Sequence, residues 1–362
     1  FRYFQSLDLP VEVLEDSDTQ RVEIHRNPLG VVGAIIPWNF PVILLAFKLP
    51  AALLGGNSII IKPAPTTPLT TLHLGRLIAD VLPAGVVNII ADNNDLGDKI
   101  TTHKGISKIS FTGSTATGAR VMASAASTLK RVTLELGGND AGIVMGDVDV
   151  EKVAPQIFQG AFGNNGQICI AMKRVYAHET IYDKLVDELA KLADDAVVGN
   201  GLEQGTQLGP LQNKMQFEKV KDYIEDGRAN GTIVAGGVAP EGKGYFVRPT
   251  IVRDIDQDSR LVREEQFGPV LPIIKYNDVD DVIERANDSE YGLGGSVWSS
   301  DVDQAYEVAK KVDSGTIWIN KHADLQPHVP FGGIKTSGIG TELGAEGLNE
   351  FTQRKVINIA KA

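Results

Sequence analysis

Apolar residues follow two kinds of pattern, which alternate along the chain. Short apolar runs, such as residues 30–36 (GVVGAII) and 57–63 (NSIIIKP), predict buried strands. Longer stretches that place apolar residues on one helical face, such as residues 67–83 and 181–197, predict amphipathic helices. Strands that alternate with helices are typical of proteins with parallel sheets. The pattern therefore predicts an α/β fold.

The alternation falls into two series of predicted strands and helices. The first series ends with the strand predicted at residues 131–137 (RVTLELG). The second begins near Asp140 with the strand predicted at residues 141–145 (AGIVM), and it runs to another at residues 315–320 (GTIWIN). We expect two open α/β sheets that are joined near residues 136–140.

The composition limits the class of protein and its partners. A net charge of −11 argues against a nucleic-acid ligand and against an anionic membrane surface. The strongest apolar stretch, residues 31–47, is interrupted by Pro37 and Pro41, so the sequence predicts no membrane-spanning helix. A single cysteine cannot form a disulfide within the chain, so we expect a reducing compartment, the cytoplasm.

A Gly/Ser/Thr turn at residues 109–120 (ISFTGSTATGAR) stands between a predicted strand and a predicted helix. In this position, main-chain N–H groups and a helix N-terminus can bind a pyrophosphate. The spacing is neither G-x-G-x-x-G nor that of a P-loop, and a plain N-capped helix start accounts for the segment equally well.

A calcium loop is suggested by Asp254, Asp256, Asp258 and Glu265, which stand at the ligand positions of an EF-hand. The position that requires glycine for a sharp turn holds Ser259, and no helix is predicted before the segment. The six histidines show no ligand spacing. We therefore expect no metal site.

Three residues could together support acyl chemistry through a thiol. Cys169 offers a nucleophile, Glu135 stands at the end of an apolar strand before two glycines, and Asn39 lies between two prolines. A desolvated carboxylate suits a general base, and a rigid amide N–H suits an oxyanion donor. Taken singly, each has a structural explanation: a buried core thiol, a carboxylate at a strand end and a turn residue.

Six segments of the chain form an ordered set of motifs: PWNFP, FTGSTATG, LELGGND, GQIC, EEQFGPV and VPFGGIKTSGIGTELG. In order and spacing they resemble the motifs of the aldehyde dehydrogenase superfamily, and the resemblance runs from about residue 1 to the C-terminus. The resemblance implies an NAD(P)-dependent enzyme with a Rossmann-like cofactor domain, an α/β catalytic domain and a small β oligomerisation flap.

The resemblance implies a catalytic role for the same three residues. Cys169 would form a thiohemiacetal with an aldehyde, and Asn39 and the N–H of Cys169 would hold the oxyanion. Oxidation would leave a thioester on Cys169, and Glu135 would activate the water that hydrolyses it to a carboxylate. Members that transfer the acyl group to coenzyme A generally lack this glutamate, so its presence favours hydrolysis.

The resemblance also implies a set of residues that bind the cofactor. Lys62 would contact the adenosine ribose, and Glu265 would contact the nicotinamide ribose with Phe267 nearby. The others implied are Ile36, Trp38, Thr112, Gly113, Ser114 and Gly118. Members strict for NAD often carry a glutamate three residues after the lysine, where this chain has Pro65. The charge that would repel the 2′-phosphate of NADP is therefore missing, and NADP is not excluded. We expect NAD or NADP, with NAD favoured.

The aldehyde tunnel of the family would be lined here by apolar side chains. The positions implied are Phe40, Leu44, Phe47, Ile168, Ile170 and Leu325. They favour medium aliphatic or aromatic aldehydes, although core packing accounts for some of them equally well. The sequence offers no obvious cationic site for a second carboxylate, which argues against a dicarboxylic semialdehyde. His322 and His328, expected near the tunnel mouth, leave that substrate open.

The resemblance implies a division of the chain into three parts. Residues 1–9 and 29–136 would form the cofactor domain, which is incomplete because family chains normally have a longer N-terminal part. Residues 137–336 would form the catalytic domain, and residues 10–28 and 352–362 the oligomerisation strands. Since those strands would expose edges that require a partner, we expect a homodimer or homotetramer.

Two alternatives to aldehyde oxidation remain open from the sequence. The short N-terminal part favours a catalytically silent family member with a structural or binding role. Release of a coenzyme A thioester is a second alternative, against which Glu135 argues.

Overall fold

The computed structural model describes residues 1–240 and 242–361 and confirms the α/β fold. The chain divides into two compact units. Unit 1 comprises Phe1–Leu136, Leu325–Gly332 and Gly338–Ala362, and unit 2 comprises Gly137–Asp324 and Gly333–Ser337. Ala362, the last residue of the predicted oligomerisation strand, lies outside the described residues.

Unit 1 begins with seven strands and five helices among the described residues. The strands are β1 (Glu12–Asp16), β2 (Gln20–Pro28), β3 (Val31–Ile35), β4 (Ser58–Lys62), β5 (Val87–Ile89), β6 (Lys108–Thr112) and β7 (Arg131–Glu135). The helices are α1 (Arg2–Gln5), α2 (Pro41–Leu54), α3 (Leu69–Ile78), α4 (Gly97–Thr102) and α5 (Thr115–Ala126).

Unit 2 follows with nine strands and six helices, again among the described residues. The strands are β8 (Asp140–Val144), β9 (Met172–His178), β10 (Thr232–Ala235), β11 (Thr250–Arg253), β12 (Val270–Tyr276), β13 (Tyr291–Gly292), β14 (Gly294–Trp298), β15 (Thr316–Ile319) and β16 (Ile334–Lys335). The helices are α6 (Val150–Phe162), α7 (Tyr182–Asp195), α8 (Lys214–Asn230), α9 (Arg260–Arg263), α10 (Val279–Asn287) and α11 (Val302–Ala309). The chain then returns to unit 1 with β17 (Gly338–Ile339), α12 (Gly344–Asn349) and β18 (Thr352–Ala360).

The main sheet of unit 1 has the order β17-β7-β6-β3-β4-β5, and all its pairs are parallel except β17 with β7. The chain runs from β3 through β4 to β5 and then crosses to β6 on the other side of β3. Strand β6 is buried along its whole length, as expected for a parallel strand with both faces covered. The carboxyl ends of five parallel strands therefore meet at one edge, where open α/β sheets bind ligands.

The main sheet of unit 2 has the order β10-β11-β12-β9-β8-β14-β15 and is parallel except for β10 with β11. One apolar core on this sheet includes Tyr176, Val220 and Val297, and another includes Ile157, Leu185 and Trp298. Cys169 precedes β9, and Glu265 and Phe267 precede β12, so these cores fix the strands that follow the predicted site residues.

A separate three-stranded sheet in unit 1 has the order β1-β2-β18. Both β1 and β18 pair antiparallel with β2, so each is an edge strand among the described residues. All five residues of β1 are exposed, and so are most residues of β18. Exposed edges of this kind can pair with another chain.

Some predicted boundaries differ from those of the structure. Residues 325–332, predicted to lie with 137–336, belong to unit 1, where Phe331 forms a β-bridge with Glu342. The helix predicted at 67–83 is shorter, Leu69–Ile78. In the part of the chain that the structure describes, no helix has the length and apolar character needed to cross a membrane.

Candidate active site

The predicted site residues divide between the two units. Unit 1 holds Ile36, Trp38, Asn39, Phe40, Leu44, Phe47, Lys62, Thr112, Gly113, Ser114, Gly118, Glu135 and Leu325. Unit 2 holds Ile168, Cys169, Ile170, Glu265 and Phe267.

The ligand edge of the unit 1 sheet carries several of these residues. Lys62 ends β4, Thr112 ends β6 and Glu135 ends β7, while Ile36 directly follows β3. The N–H of Ile36 donates to the carbonyl of Lys62 over 2.9 Å, which ties two of these strand ends together. The parallel topology thus gathers residues that lie far apart in the sequence.

Glu135 is a buried carboxyl group at this edge. It is 4% exposed, and neither carboxylate oxygen has a hydrogen-bond partner in residues 1–240 and 242–361. Burial raises the pKa of Glu135 well above its ordinary value, the charge of Glu342 raises it further, and the Lys48 ammonium opposes the rise. A raised pKa makes the ionised carboxylate a stronger base, which suits removal of a proton from water.

Lys48 and Glu342 are functional candidates that the sequence analysis missed. Lys48 is fully buried in α2, and its Nζ donates a short hydrogen bond to Oε1 of Glu342. The Ser110 hydroxyl donates to the same oxygen over 3.3 Å. The one available signal was a lone lysine in the apolar run PVILLAFKLPAALL, and nothing in the sequence pointed to its partner.

Asn39 lies in the segment between β3 and α2. Pro37 and Pro41 flank this segment, and Pro41 occupies the first turn of α2, where its fixed φ suits the helix start. Among the predicted tunnel residues of unit 1, Leu44 is buried, whereas Phe40, Phe47 and Leu325 are half-buried. Leu44 therefore packs in the interior of unit 1.

The Gly/Ser/Thr turn joins β6 to α5. Ser114 is the N-cap of α5, as its hydroxyl accepts from the N–H of Thr117, so an N-capped helix starts at this turn. A Cβ on Gly118 would lie 2.4 Å from Cδ2 of Leu136, so glycine lets the helix pack closely on the sheet. The hydroxyl of Thr112 is buried without a partner in the described residues. This close-packed helix start with an unsatisfied hydroxyl fits a phosphate-bearing cofactor.

The Cys169 turn of unit 2 follows a strained segment. A short 3₁₀ helix at Gly163–Gly166 contains Asn164, Asn165 and Gly166 with φ values of 49°, 58° and 73°. A Cβ on Gly166 would lie 2.3 Å from the carbonyl oxygen of Gly268, so only glycine fits there. Strain of this kind typically clusters at functional sites.

Buried donors hold three successive carbonyl groups of this turn. Lys173 Nζ donates to the carbonyls of Ile168 over 2.9 Å and Cys169 over 2.6 Å. His322 Nε2 donates to the carbonyl of Ile170 over 2.8 Å. Lys173 is 2% exposed, so its ammonium lies out of water beside the cysteine main chain. The cysteine is therefore placed by its own unit with little freedom.

Glu265 and Phe267 adjoin the same turn. Glu265 Oε1 accepts from the N–H of Gly138 over 3.0 Å and lies 3.7 Å from Lys173 Nζ. Phe267 has a φ of 51°, a strained value for a bulky residue, and its carbonyl accepts from Gln216 over 2.9 Å. Lys173, which the sequence analysis missed, thus links the cysteine turn to the predicted nicotinamide-ribose carboxylate.

Two further expectations for unit 2 change with the structure. Ile170 is 3% exposed, so it packs in the interior, while Ile168 is half-buried. The His322 side chain is 1% exposed, and burial lowers its pKa to about 4. The placement of His322 at a tunnel mouth is therefore wrong, because the imidazole supports the turn from inside.

The carboxylates that suggested a calcium loop have separate partners. Asp254 accepts from the hydroxyl of Tyr182 and from Arg253, and Glu265 accepts from Gly138. Among the described residues, no three His, Cys, Asp or Glu side chains are grouped as a metal site would require.

Comparison with known proteins assigns nearly the whole chain to one family. The sequence profile of the aldehyde dehydrogenase family matches residues 3–357. The chain is 46% identical over 341 residues to "Aldehyde dehydrogenase, mitochondrial" of Leishmania tarentolae, covering 93% of this chain and 68% of that protein. It is 41% identical over 360 residues to "Phenylacetaldehyde dehydrogenase" of Pseudomonas fluorescens, covering 98% and 71%.

Solved structures show the same similarity. The NAD⁺ complex of an aldehyde dehydrogenase from Bacillus cereus superposes with a TM-score of 0.95 at 40% identity. The match covers 99% of this chain and 73% of that one.

Proposed function

The chain belongs to the aldehyde dehydrogenase family, and on that premise we propose that it oxidises an aldehyde to a carboxylate with NAD or NADP, through a covalent adduct on Cys169. The observation that carries this proposal is Glu135, a buried carboxyl group with no hydrogen-bond partner in residues 1–240 and 242–361. Such a group suits activation of water, which hydrolysis of an acyl-enzyme requires and transfer to coenzyme A does not.

The first chemical step belongs to the cysteine. The Cys169 sulfur adds as a thiolate to the aldehyde carbon, which gives a thiohemiacetal whose oxyanion the Asn39 amide and the Cys169 N–H stabilise. The hydrogen bonds from Lys173 and His322 to the surrounding carbonyls support this step by holding the turn in one geometry.

Oxidation of the adduct leaves a thioester on Cys169. The chemistry that a bound nicotinamide dinucleotide supplies is the acceptance of a hydride from the adduct carbon. The residues that would hold that cofactor are Ile36, Trp38, Lys62, Thr112, Gly113, Ser114, Gly118, Glu265 and Phe267. The close packing at Gly118 and the unsatisfied hydroxyl of Thr112 support this assignment.

Hydrolysis completes the cycle through Glu135. Its carboxylate takes a proton from water, and the hydroxide adds to the thioester carbon, so that the carboxylate product leaves and the Cys169 thiolate is restored. The raised pKa of Glu135 supports this role, because a stronger base accepts the proton more readily.

We propose medium aliphatic or aromatic aldehydes as substrates. The half-buried side chains of Phe40, Phe47, Ile168 and Leu325 support an apolar funnel, whereas Leu44 and Ile170 are buried enough to act as packing. The name of the Pseudomonas fluorescens relative, a phenylacetaldehyde dehydrogenase, favours the aromatic class.

We also propose that the chain works as a homodimer or homotetramer in the cytoplasm. The exposed edge strands β1 and β18 support self-association. The single cysteine supports a reducing compartment, although the Leishmania tarentolae relative is named as mitochondrial.

Two variants test the chemistry, with cofactor reduction followed by absorbance on a panel of aliphatic and aromatic aldehydes. We expect Cys169→Ser to abolish turnover, and Glu135→Gln to release one equivalent of reduced cofactor per site and then stop. The matched control is Glu346→Gln, which neutralises an exposed glutamate of the same unit and should keep full turnover. Steady turnover in both test variants would refute the mechanism, and strict dependence on coenzyme A would favour thioester release. A folded wild-type chain that binds neither cofactor would instead favour a silent family member.

A further inference from the structure

A buried ion pair lies at the ligand edge of unit 1, beside the residues already described there. Lys62 ends β4, and Asp92 follows the end of the neighbouring strand β5 at Ile89. Lys62 Nζ lies 2.9 Å from Oδ1 of Asp92, and the two side chains are 5% and 1% exposed. The pair is thus formed by residues from two adjacent strand ends.

Asp92 is held as a charged acceptor by the chain around it. Its Oδ2 accepts from the N–H of Leu96 over 3.0 Å. Burial alone would raise the pKa of Asp92, but hydrogen bonds from Leu96, Lys62 and Asn94 together bring it below its usual value. Its two oxygens are thus engaged by Lys62 and Leu96, and the buried carboxylate acts on a ligand at this edge through its charge.

The charge of this pair bears on the choice of cofactor. A lysine alone at the adenosine ribose would attract the 2′-phosphate of NADP, whereas a carboxylate accepts hydrogen bonds from the ribose hydroxyls and repels that phosphate. The missing acidic residue at Pro65 suggested from the sequence that no such carboxylate was present. The fold supplies one from a different segment.

We propose that Asp92 determines the cofactor preference of this chain through its charge, which offsets the charge of Lys62 and repels a 2′-phosphate, so that the site takes NAD in preference to NADP. This inference rests on the proposed function, which places the adenosine ribose at Lys62. It goes further by naming the residue that discriminates between the two cofactors and by choosing one of them.

Asp92→Asn is the variant that tests the inference, since it removes the charge and keeps the shape and an acceptor for Leu96. The readout is the dissociation constant of NADH and of NADPH, from the fluorescence of each dinucleotide, so activity is not needed. The matched control is Asp95→Asn, which removes the same charge from an exposed residue of the same loop. We expect wild type and control to bind NADH more tightly, and Asp92→Asn to shift the affinity ratio toward NADPH by about 10-fold or more.

A second substitution identifies the cation responsible for the shift. In Asp92→Asn with Lys62→Met, the gain for NADPH should disappear, because the ammonium that attracts the 2′-phosphate is gone. Thermal unfolding verifies that each variant is folded, and Asp92→Ser replaces Asp92→Asn if the latter is not.

The outcomes separate the inference from the proposed function. If the wild type binds NADH and the Asp92 variants leave the NADH-to-NADPH ratio unchanged, the inference is wrong and the proposed function stands. If the folded wild type binds neither dinucleotide, both are wrong.

Discussion

Lys173 Nζ donates to the carbonyl oxygen of Cys169 over 2.6 Å, so a buried ammonium group is anchored to the main chain of the proposed nucleophile. The same nitrogen donates to Ile168 and lies 3.7 Å from the Glu265 carboxylate. A nearby cation favours the thiolate over the thiol, and the hydrogen bonds fix the direction of the turn. Lys173 is therefore a positioning residue for Cys169.

Lys173→Met should slow the reaction of the Cys169 thiol. Loss of the cation favours the protonated thiol, and loss of the anchor loosens the turn, so we expect kcat/KM to fall by about 10- to 100-fold. The rate of alkylation of Cys169 by iodoacetamide, measured against pH, should reach half its maximum at a higher pH than in the wild type.

The control for this prediction is Lys221→Met, which removes an exposed lysine of α8 paired with Glu218. It should leave the alkylation profile unchanged. Because Lys173→Met also leaves buried carbonyls unpaired, at about 1–3 kcal/mol each, unfolding by urea must confirm that it is folded. Lys173→Arg, which keeps the charge, should shift the alkylation profile less. An unchanged profile in folded Lys173→Met would contradict the assignment.

The pH below which thioester hydrolysis slows should move in opposite directions when Lys48 and Glu342 are substituted. Because hydrolysis needs the ionised form of Glu135, its rate should fall as pH falls through the raised pKa of this group. Glu342→Gln removes a negative charge and should lower that pKa, whereas Lys48→Met removes a positive charge and should raise it. The measurement is the pH dependence of product release after the first burst of reduced cofactor.

The control for these two variants is Lys48→Met combined with Glu342→Gln. The two charges have opposite effects on the pKa of Glu135. The pH at which hydrolysis falls to half its maximal rate should therefore lie, in the double variant, between the values of the two single variants. If both single variants shift this pH in the same direction, the effect comes from packing, and the electrostatic account is wrong.

The local part of the fold was predictable from the sequence. The amphipathic helix predicted at residues 181–197 is found as α7 at Tyr182–Asp195, because its apolar side chains recur at helical spacing. Helix α2 starts at Pro41, because the fixed φ of proline suits a first helical turn. Local side-chain periodicity and helix capping determine where such helices begin and end.

The partners of the site residues were not predictable in this way. Glu342 reaches Lys48 across 294 positions of sequence, and Asp92 reaches Lys62 across 30. Such pairs depend on the order of strands in a sheet, which one sequence does not specify. The same limit explains why Pro65 suggested a missing charge that Asp92 supplies.

Asp140 and His322 should give the stability of unit 2 opposite dependences on pH. His322 Nε2 lies 3.8 Å from Oδ2 of Asp140, but burial raises the pKa of Asp140 to about 7 and lowers that of His322 to about 4. At neutral pH the imidazole is therefore uncharged, and the two do not form an ion pair. Each group instead binds protons differently in the folded and unfolded chain.

The signs follow from which state binds more protons. Between its unfolded pKa of 3.8 and its folded pKa of about 7, Asp140 holds a proton only in the folded chain, so its contribution falls as pH rises. Between about 4 and 6.5, His322 holds a proton only in the unfolded chain, so its contribution rises with pH. The two effects oppose each other below pH 6.5, and above it only that of Asp140 remains.

Urea unfolding at several pH values separates these two contributions. The free energy of unfolding of Asp140→Asn, relative to wild type, should rise from about pH 5 to about pH 8 by about 1.4 kcal/mol or more, the equivalent of one pKa unit. That of His322→Gln should fall over the acidic part of this range and then level off. Relative stabilities that do not vary with pH would show that neither group titrates in the folded chain as described.

Self-association should depend on the edge strand β18. Val356 and Ile359 are 56% and 42% exposed there, and apolar side chains on an unpaired edge favour pairing with another chain. Substitution of both by lysine should reduce the mass measured by light scattering after gel filtration from a dimer or tetramer to a single chain, because lysine blocks edge pairing. Val302→Lys is the matched control, since Val302 is 57% exposed on α11 of unit 2. A mass unchanged by the double substitution, or a wild type that is already a single chain, would show that these edges do not mediate assembly.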